Sequence, residues 1–201
     1  MDKHPFNPDD FFKKACSFEA ALILVAVVLG WIAGINPFEN LHFSESAIAY
    51  GVIGTMPLFL LFLTMEQMRA DSVVKIKNVL YETLGPSLHR LHWTDLLILA
   101  SIAGLSEELL FRGVIQPWIE SSWSMTAGLI GSNILFGLAH AVTPLYAVLA
   151  TFVGIYLSLS LDYGGDRNLL VPVVIHGLYD FLAFVALMRA YRASRLTDSK
   201  E

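Results

Sequence analysis

Six side chains in this sequence could do chemistry and are costly where they stand: Glu107, Glu108, Arg112, His140, His176 and Asp180. All lie inside strongly apolar stretches, where an ionisable group costs several kcal/mol even on lenient insertion scales. The run from Ser106 reads Ser-Glu-Glu-Leu-Leu-Phe-Arg, so Glu108 and Arg112 stand at i, i+4 and can neutralise each other on a helix. Glu107 sits about 100° round the same helix, without that partner. A carboxylate held charged by arginine suits an orienting role, whereas a lone one in a low-dielectric setting suits a general base.

Two further clusters bring nitrogen ligands. Asn133, Phe136 and His140 share one helical face, so an imidazole projects beside an aromatic ring, and Asn133 and Phe136 become candidates for the lining of a substrate site. His176 and Asp180 stand one turn apart, where the aspartate can fix the histidine's tautomer or share a site with it. No Ser, Thr or Cys is marked as a covalent nucleophile by a neighbouring base. Ser106 and Cys16 were the only ones to weigh, and Cys16 is remote from the clusters. Water is then the expected nucleophile. The histidines can orient water, donate hydrogen bonds to an oxyanion, or bind a metal with a glutamate. The candidate ligands are Glu107, His140 and His176, and zinc is the metal of matching donor type, although the spacing is not His-Glu-x-x-His.

The elements that must position these groups are membrane helices. Of 201 residues, 55% are hydrophobic and only 15% charged, and the mean hydropathy is +0.59. Disorder and a secreted disulfide scaffold are excluded, the latter also by the single cysteine, and a net charge of −5 argues against nucleic acid as a partner. Apolar runs near the ~20 residues that cross a bilayer predict six spans, at 18–35, 46–65, 95–119, 124–141, 144–161 and 169–188. The fold class expected is an all-α polytopic membrane bundle, with broken or re-entrant helices allowed. Eleven of the 13 Lys and Arg precede the first span (Lys3, Lys13, Lys14), lie between the second and third (Arg69, Lys75, Lys77, Arg90), or follow the sixth (Arg189, Arg192, Arg195, Lys200). The positive-inside rule therefore puts both termini in the cytoplasm, with the first span a retained anchor and the last three arginines holding the final helix at the anionic inner leaflet. Between spans two and three, Val73, Ile76, Leu80 and Leu84 beside Lys75, Lys77 and Glu82 predict a helix on the inner membrane surface, ended by Gly85 and Pro86.

Glu-Glu-x-x-x-Arg at 107–112, Phe-x-x-x-His at 136–140 and His-x-x-x-Asp at 176–180, in that order on three apolar helices, resemble the CPBP intramembrane proteases, the CAAX protease and bacteriocin-processing or Abi family. The resemblance covers residues 94–188. It implies a CAAX-protease-like helical core and an endopeptidase in which Glu107 and His140 activate a water, Glu108 and Arg112 orient that pair, and His176 with Asp180 stabilises the oxyanion. Where relatives carry asparagine, Asp180 cannot donate when ionised, so its expected role is to hold His176 as the donor or to be itself protonated. Whether such proteases need zinc stays open.

The organisation expected is a two-span anchor region with a cytoplasmic linker (1–93), a catalytic membrane domain (94–190) and a polar tail (191–201). The expected setting is the cell (inner) membrane. The expected partners are membrane lipids and a membrane-anchored or lipidated protein or peptide substrate. The competing readings are a non-catalytic scaffold or bacteriocin self-immunity protein using the same polar site for binding, and, less favoured, a small ion or proton carrier. One geometric difficulty stands against straight parallel spans. At ~1.5 Å per residue, His140 lies about 25 Å from the outer start of its span and His176 only about 10 Å from that of its own, so some helix must tilt or break, with Gly113, Pro117, Gly137, Pro144 and Pro172 as candidate points.

Overall fold

Residues 8–198 are described by a computed structural model, and every regular element among them is helical. In chain order these are α1 (Pro8–Ala33), α2 (Glu45–Gln67), α3 (Asp71–Leu88), α4 (Trp93–Leu110), a π-helical turn (Phe111–Ile115), α5 (Gln116–Ser122), α6 (Met125–Ala139), α7 (Pro144–Ser160) and α8 (Leu170–Asp198). Lys3, Lys200 and the side chain of Arg195 fall outside the described residues.

All six segments expected to span are helical, but they are not alike. Asp10–Ala33, Glu45–Gln67 and Leu170–Ala193 are long and apolar enough to cross a membrane. The helices α6 and α7 are apolar but only 15 and 17 residues long, and α4 carries Asp95, Glu107 and Glu108. Their outward surface is that of a protein solvated by lipid: Leu24, Ile53, Leu60, Leu138 and Phe152 are all well exposed. Trp31 and Trp123, about four-fifths exposed near helix ends, suit the bilayer interface.

The third expected span is a long helix broken at one point. Pro117 has no N–H to give to the carbonyl one turn back, and the backbone answers with a π turn in which Gln116 N–H reaches Phe111 O. The continuing helix then reverses at Trp123, and Ser124 caps α6 by accepting from Ala127 N–H at 3.1 Å. This hairpin fixes depth. Glu107 lies 16 residues before Trp123 and His140 lies 17 after it, so antiparallel packing brings them level, as it does Arg112 and Asn133.

The depth of His176 is set by a different contact. Where α4 crosses α8, a Cβ on Gly104 would lie 2.6 Å from Gly177 N, so the backbones touch and only glycine fits. That crossing places the residues just beyond Gly104, including Glu107 and Glu108, beside His176. Consistently, Leu169 at the head of α8 shares a core cluster with Leu109, Leu110, Phe111 and Val114. The last helix thus begins beside the middle of the broken helix, which removes the mismatch that straight parallel spans would create.

The surface helix corrects one expectation. It does not stop at Gly85 and Pro86 but runs on to Leu88, because Gly85 lies flat against the Tyr191 ring, 2.3 Å from where a Cβ would sit, and its carbonyl accepts from His89 N–H. Arg192 reinforces this junction with two hydrogen bonds to His89 O at 2.6 and 3.1 Å. The expected polar tail is likewise part of α8, which remains helical through Asp198. On the other side, Lys77 Nζ donates to Glu66 O and Met68 O, and Tyr81 donates to the Glu66 carboxylate at 2.8 Å, tying α3 to the end of α2. Burial, together with that carboxylate, pushes the Tyr81 phenol well above its usual range.

Because Gly104 meets backbone rather than a movable side chain, Gly104→Val should destabilise the bundle by about 1–3 kcal/mol or more. Gly164→Ala, whose Cβ would find its nearest neighbour at 3.6 Å, should leave the melting temperature in lipid unchanged. Equal melting temperatures for the two variants would refute the α4–α8 crossing.

Candidate functional site

The site is assembled around a buried ion pair. Arg112 Nη1 donates to Glu108 Oε1 at 2.9 Å, and both side chains are 0% exposed. Two further helices, α6 and α7, accept from Nη2 and Nε. Nη2 donates to Asn133 Oδ1 on α6 at 2.9 Å and to Gly154 O on α7 at 2.8 Å, and Nε donates to Ser158 Oγ on α7 at 3.3 Å. The guanidinium also stacks over the Phe136 ring, 4.6 Å from its centre. Gly154 leaves the room this needs, since a Cβ there would stand 2.5 Å from Asn133 Oδ1.

Glu108 passes the order on to α8. Its Oε1 also accepts from His176 Nδ1 at 2.8 Å, so the carboxylate fixes that ring's tautomer and turns Nε2 towards Glu107, 4.0 Å from Oε2. This corrects the role expected of Asp180. The aspartate lies beside Nε2 at 3.6 Å, beyond hydrogen-bond length, and it is Glu108 on the neighbouring helix that holds Nδ1.

His140 is set by its own helix. Its Nδ1 lies 2.9 Å from Phe136 O, and because a carbonyl only accepts, Nδ1 carries the hydrogen. Nε2 then faces Glu107 Oε2 at 3.4 Å. Phe136 separates the two imidazoles, with ring centres 4.3 Å from His140 and 5.9 Å from His176. Glu107 is thus the point on which both free imidazole nitrogens converge, and its Oε2 is buried without a hydrogen bond to any described residue.

Glu107, Glu108, Arg112, His140, His176 and Asp180 are therefore gathered in one place, and Phe136 with them. Asn133 is a correction. It is fully buried and bonded to Arg112, Leu129 O and Ser158, so it seats the arginine rather than lining an opening. Among the described residues, no group of three or more His, Cys, Asp or Glu is disposed to hold a metal ion. Zinc with bonds of about 2.0–2.1 Å would draw donor atoms to about 3.3 Å from one another. His140 Nε2 stands at 3.4 Å from Glu107 Oε2, close to that spacing, whereas the 4.0 Å from His176 Nε2 exceeds it.

Other polar participants escaped the sequence reading. Glu19 on α1 accepts from Ser106 Oγ at 3.4 Å, an acidic residue inside a run that reads as nearly uncharged. Gly154 and Ser158 are seen only as small residues one turn apart, a pattern that marks close helix contact but names no partner.

A cavity of about 170 Å³ leads away from the site, walled mainly by apolar residues of α2, α3, α7 and α8. Phe136, His140, Tyr146, His176, Tyr179 and Asp180 lie at one part of it, and Glu66 and Lys77 at another. Along α8 it runs from His176 to Leu187, about 16 Å at the rise of a helix.

Residues 89–182 match the family model described as type II CAAX prenyl endopeptidase Rce1-like, and all three motifs fall inside that segment. No curated protein and no solved structure matches the chain.

The two adjacent glutamates should behave oppositely in stability measurements. Glu108→Ala strands a buried guanidinium and should cost about 3–5 kcal/mol. Glu107→Gln removes no hydrogen bond to a described residue and should move stability by no more than about 1 kcal/mol. Denaturant titration of the purified protein in detergent checks both, and equal losses would contradict the distinction.

Proposed function

We propose that this chain, whose segment 89–182 is of the Rce1-like CAAX endopeptidase kind, is an intramembrane endopeptidase that hydrolyses peptide bonds of membrane-anchored or prenylated-type substrates through a water activated by Glu107 and His140. The observation that carries this reading is that two imidazole Nε2 atoms, from histidines lining an apolar cavity, face one buried carboxylate oxygen at 3.4 and 4.0 Å. A neutral His140 Nε2 and the Glu107 carboxylate oxygen are both acceptors, a pair that a water molecule satisfies by donating its hydrogens, while His176, protonated at both nitrogens, keeps its Nε2–H as a donor facing the same point.

In the proposed reaction the water oxygen attacks the scissile carbonyl carbon while one of its protons passes to Glu107. The carbonyl π pair moves onto oxygen, and His176 donates a hydrogen bond to it from Nε2 when that nitrogen is protonated. Collapse re-forms the carbonyl and breaks the C–N bond. Glu107 then returns its proton to the leaving amine, and the water's oxygen stays in the new carboxyl group. Glu108 and Arg112 take no part in bond making; they hold His176 in register.

The cavity gives the substrate its chemistry. Its wall of leucines and aromatic rings suits an apolar chain, and the positive-inside distribution sets both termini and the α3 side in the cytoplasm of a cell (inner) membrane, so substrate approaches from that leaflet. No step is routed through a metal, since no group of three donors among the described residues is disposed to hold one.

Glu107→Gln should lower kcat by about 10²–10⁴-fold on a fluorogenic lipidated peptide, with the protein still folded. A strong chelator should leave wild-type activity within a factor of two. Retained cleavage in Glu107→Gln would overturn the assignment of the base. Loss on chelation, restored by zinc, would overturn the metal-independent route.

A further inference from the structure

Stabilising an oxyanion takes neutral or cationic donors, and the cavity beside Glu107 is rich in acceptors instead. Ionised Glu107 and Asp180 have no hydrogen to offer, and His140 commits its Nδ1–H to Phe136 O. His176 alone would have to serve the carbonyl oxygen.

Two phenols stand on the same wall. Tyr179 is turned towards α2, where its ring meets Phe62 edge-on with centres 6.5 Å apart. Tyr146 is different. It follows His140 by only six residues, and Thr143 caps the start of α7 by accepting from Tyr146 N–H at 3.1 Å, which fixes the backbone beneath the ring. Tyr146 lines the cavity together with His140, His176 and Asp180. Its hydroxyl makes no hydrogen bond to any described residue. A phenol keeps its proton at neutral pH and is a donor that two nearby carboxylates do not neutralise.

We propose that Tyr146 is a catalytic residue whose O–H donates a hydrogen bond to the scissile carbonyl oxygen as it becomes an oxyanion, supplying the donor that Asp180 cannot. The proposal rests on the endopeptidase reading and adds no proton transfer to it: the hydroxyl keeps its hydrogen throughout.

The test is a double-mutant cycle on the full-length protein in lipid, reading kcat, KM and melting temperature with a fluorogenic lipidated peptide, and with Glu107→Gln as the reaction control. Tyr146→Phe should lower kcat by about 10²-fold, with KM within about threefold and the melting temperature unchanged. Asp180→Asn introduces an amide N–H at the same wall, so adding Tyr146→Phe to that variant should cost no more than about 10-fold. An equal kcat loss in both backgrounds, or a loss accompanied by lowered melting temperature, assigns Tyr146 to structure and overturns the proposal. Unchanged kcat in Tyr146→Phe while Glu107→Gln is inactive overturns it and leaves the endopeptidase reading standing. Wild-type cleavage that does not depend on Glu107 ends both.

Discussion

A guanidinium buried in a membrane bundle is the constraint on which the rest depends. Arg112 is fully enclosed, and its charge is tolerable only because Glu108, Asn133, Gly154 O and Ser158 surround it. The partners come from defined places on three helices, so satisfying one side chain registers α4, α6 and α7 together. Glu108 extends the registry to α8 through His176 Nδ1. Such a pair is poor evidence for stability in itself, since an apolar replacement of equal shape is often at least as stable. Its value lies in direction: it leaves Glu107, one residue away on the helix, facing two imidazoles.

The backbone around the arginine is adapted to the same end. The π turn begins at Phe111 and contains Arg112, and Pro117 shortly beyond it removes a helical donor. A π turn shifts the angular phase of everything after it. Here it lets the polar face of α4 look into the bundle while α5 goes on to meet α6. Between α7 and α8, Arg167 closes the assembly by pairing with Glu120 at 2.9 Å, and that carboxylate, by hydrogen bonding, holds Arg167 above its usual range.

What could be read from residues alone followed the reach of local geometry. The Glu108–Arg112 pair was legible because i, i+4 spacing on one helix specifies a contact without knowledge of any neighbour. The all-helical membrane architecture was legible from the apolar runs, and the helicity of α3 from its Val73, Ile76, Leu80, Leu84 stripe. Contacts between helices were not legible. Asp180 shares a helix with His176 at i, i+4, the spacing of a local partner, yet the Nδ1 partner is Glu108 across the α4–α8 crossing. Asn133 shares a face with His140 but points to the arginine, because a face of a 15-residue helix is wide enough to meet two neighbours. Pro86 reads locally as a stop signal, whereas Tyr191, more than a hundred residues later, covers Gly85 and the turn stays helical. In each case the missing information was which helix lies opposite.

The central claim is that water, activated by Glu107, is the nucleophile. It is tested most directly by a single turnover in heavy-oxygen water, with mass analysis of both the product and the Glu107-bearing peptide. The account predicts one heavy oxygen in the new carboxyl group of the product and none in Glu107. Heavy oxygen in the Glu107 side chain, or capture of an acylated Glu107 by hydroxylamine, would mean that the carboxylate itself attacks, and would contradict the account.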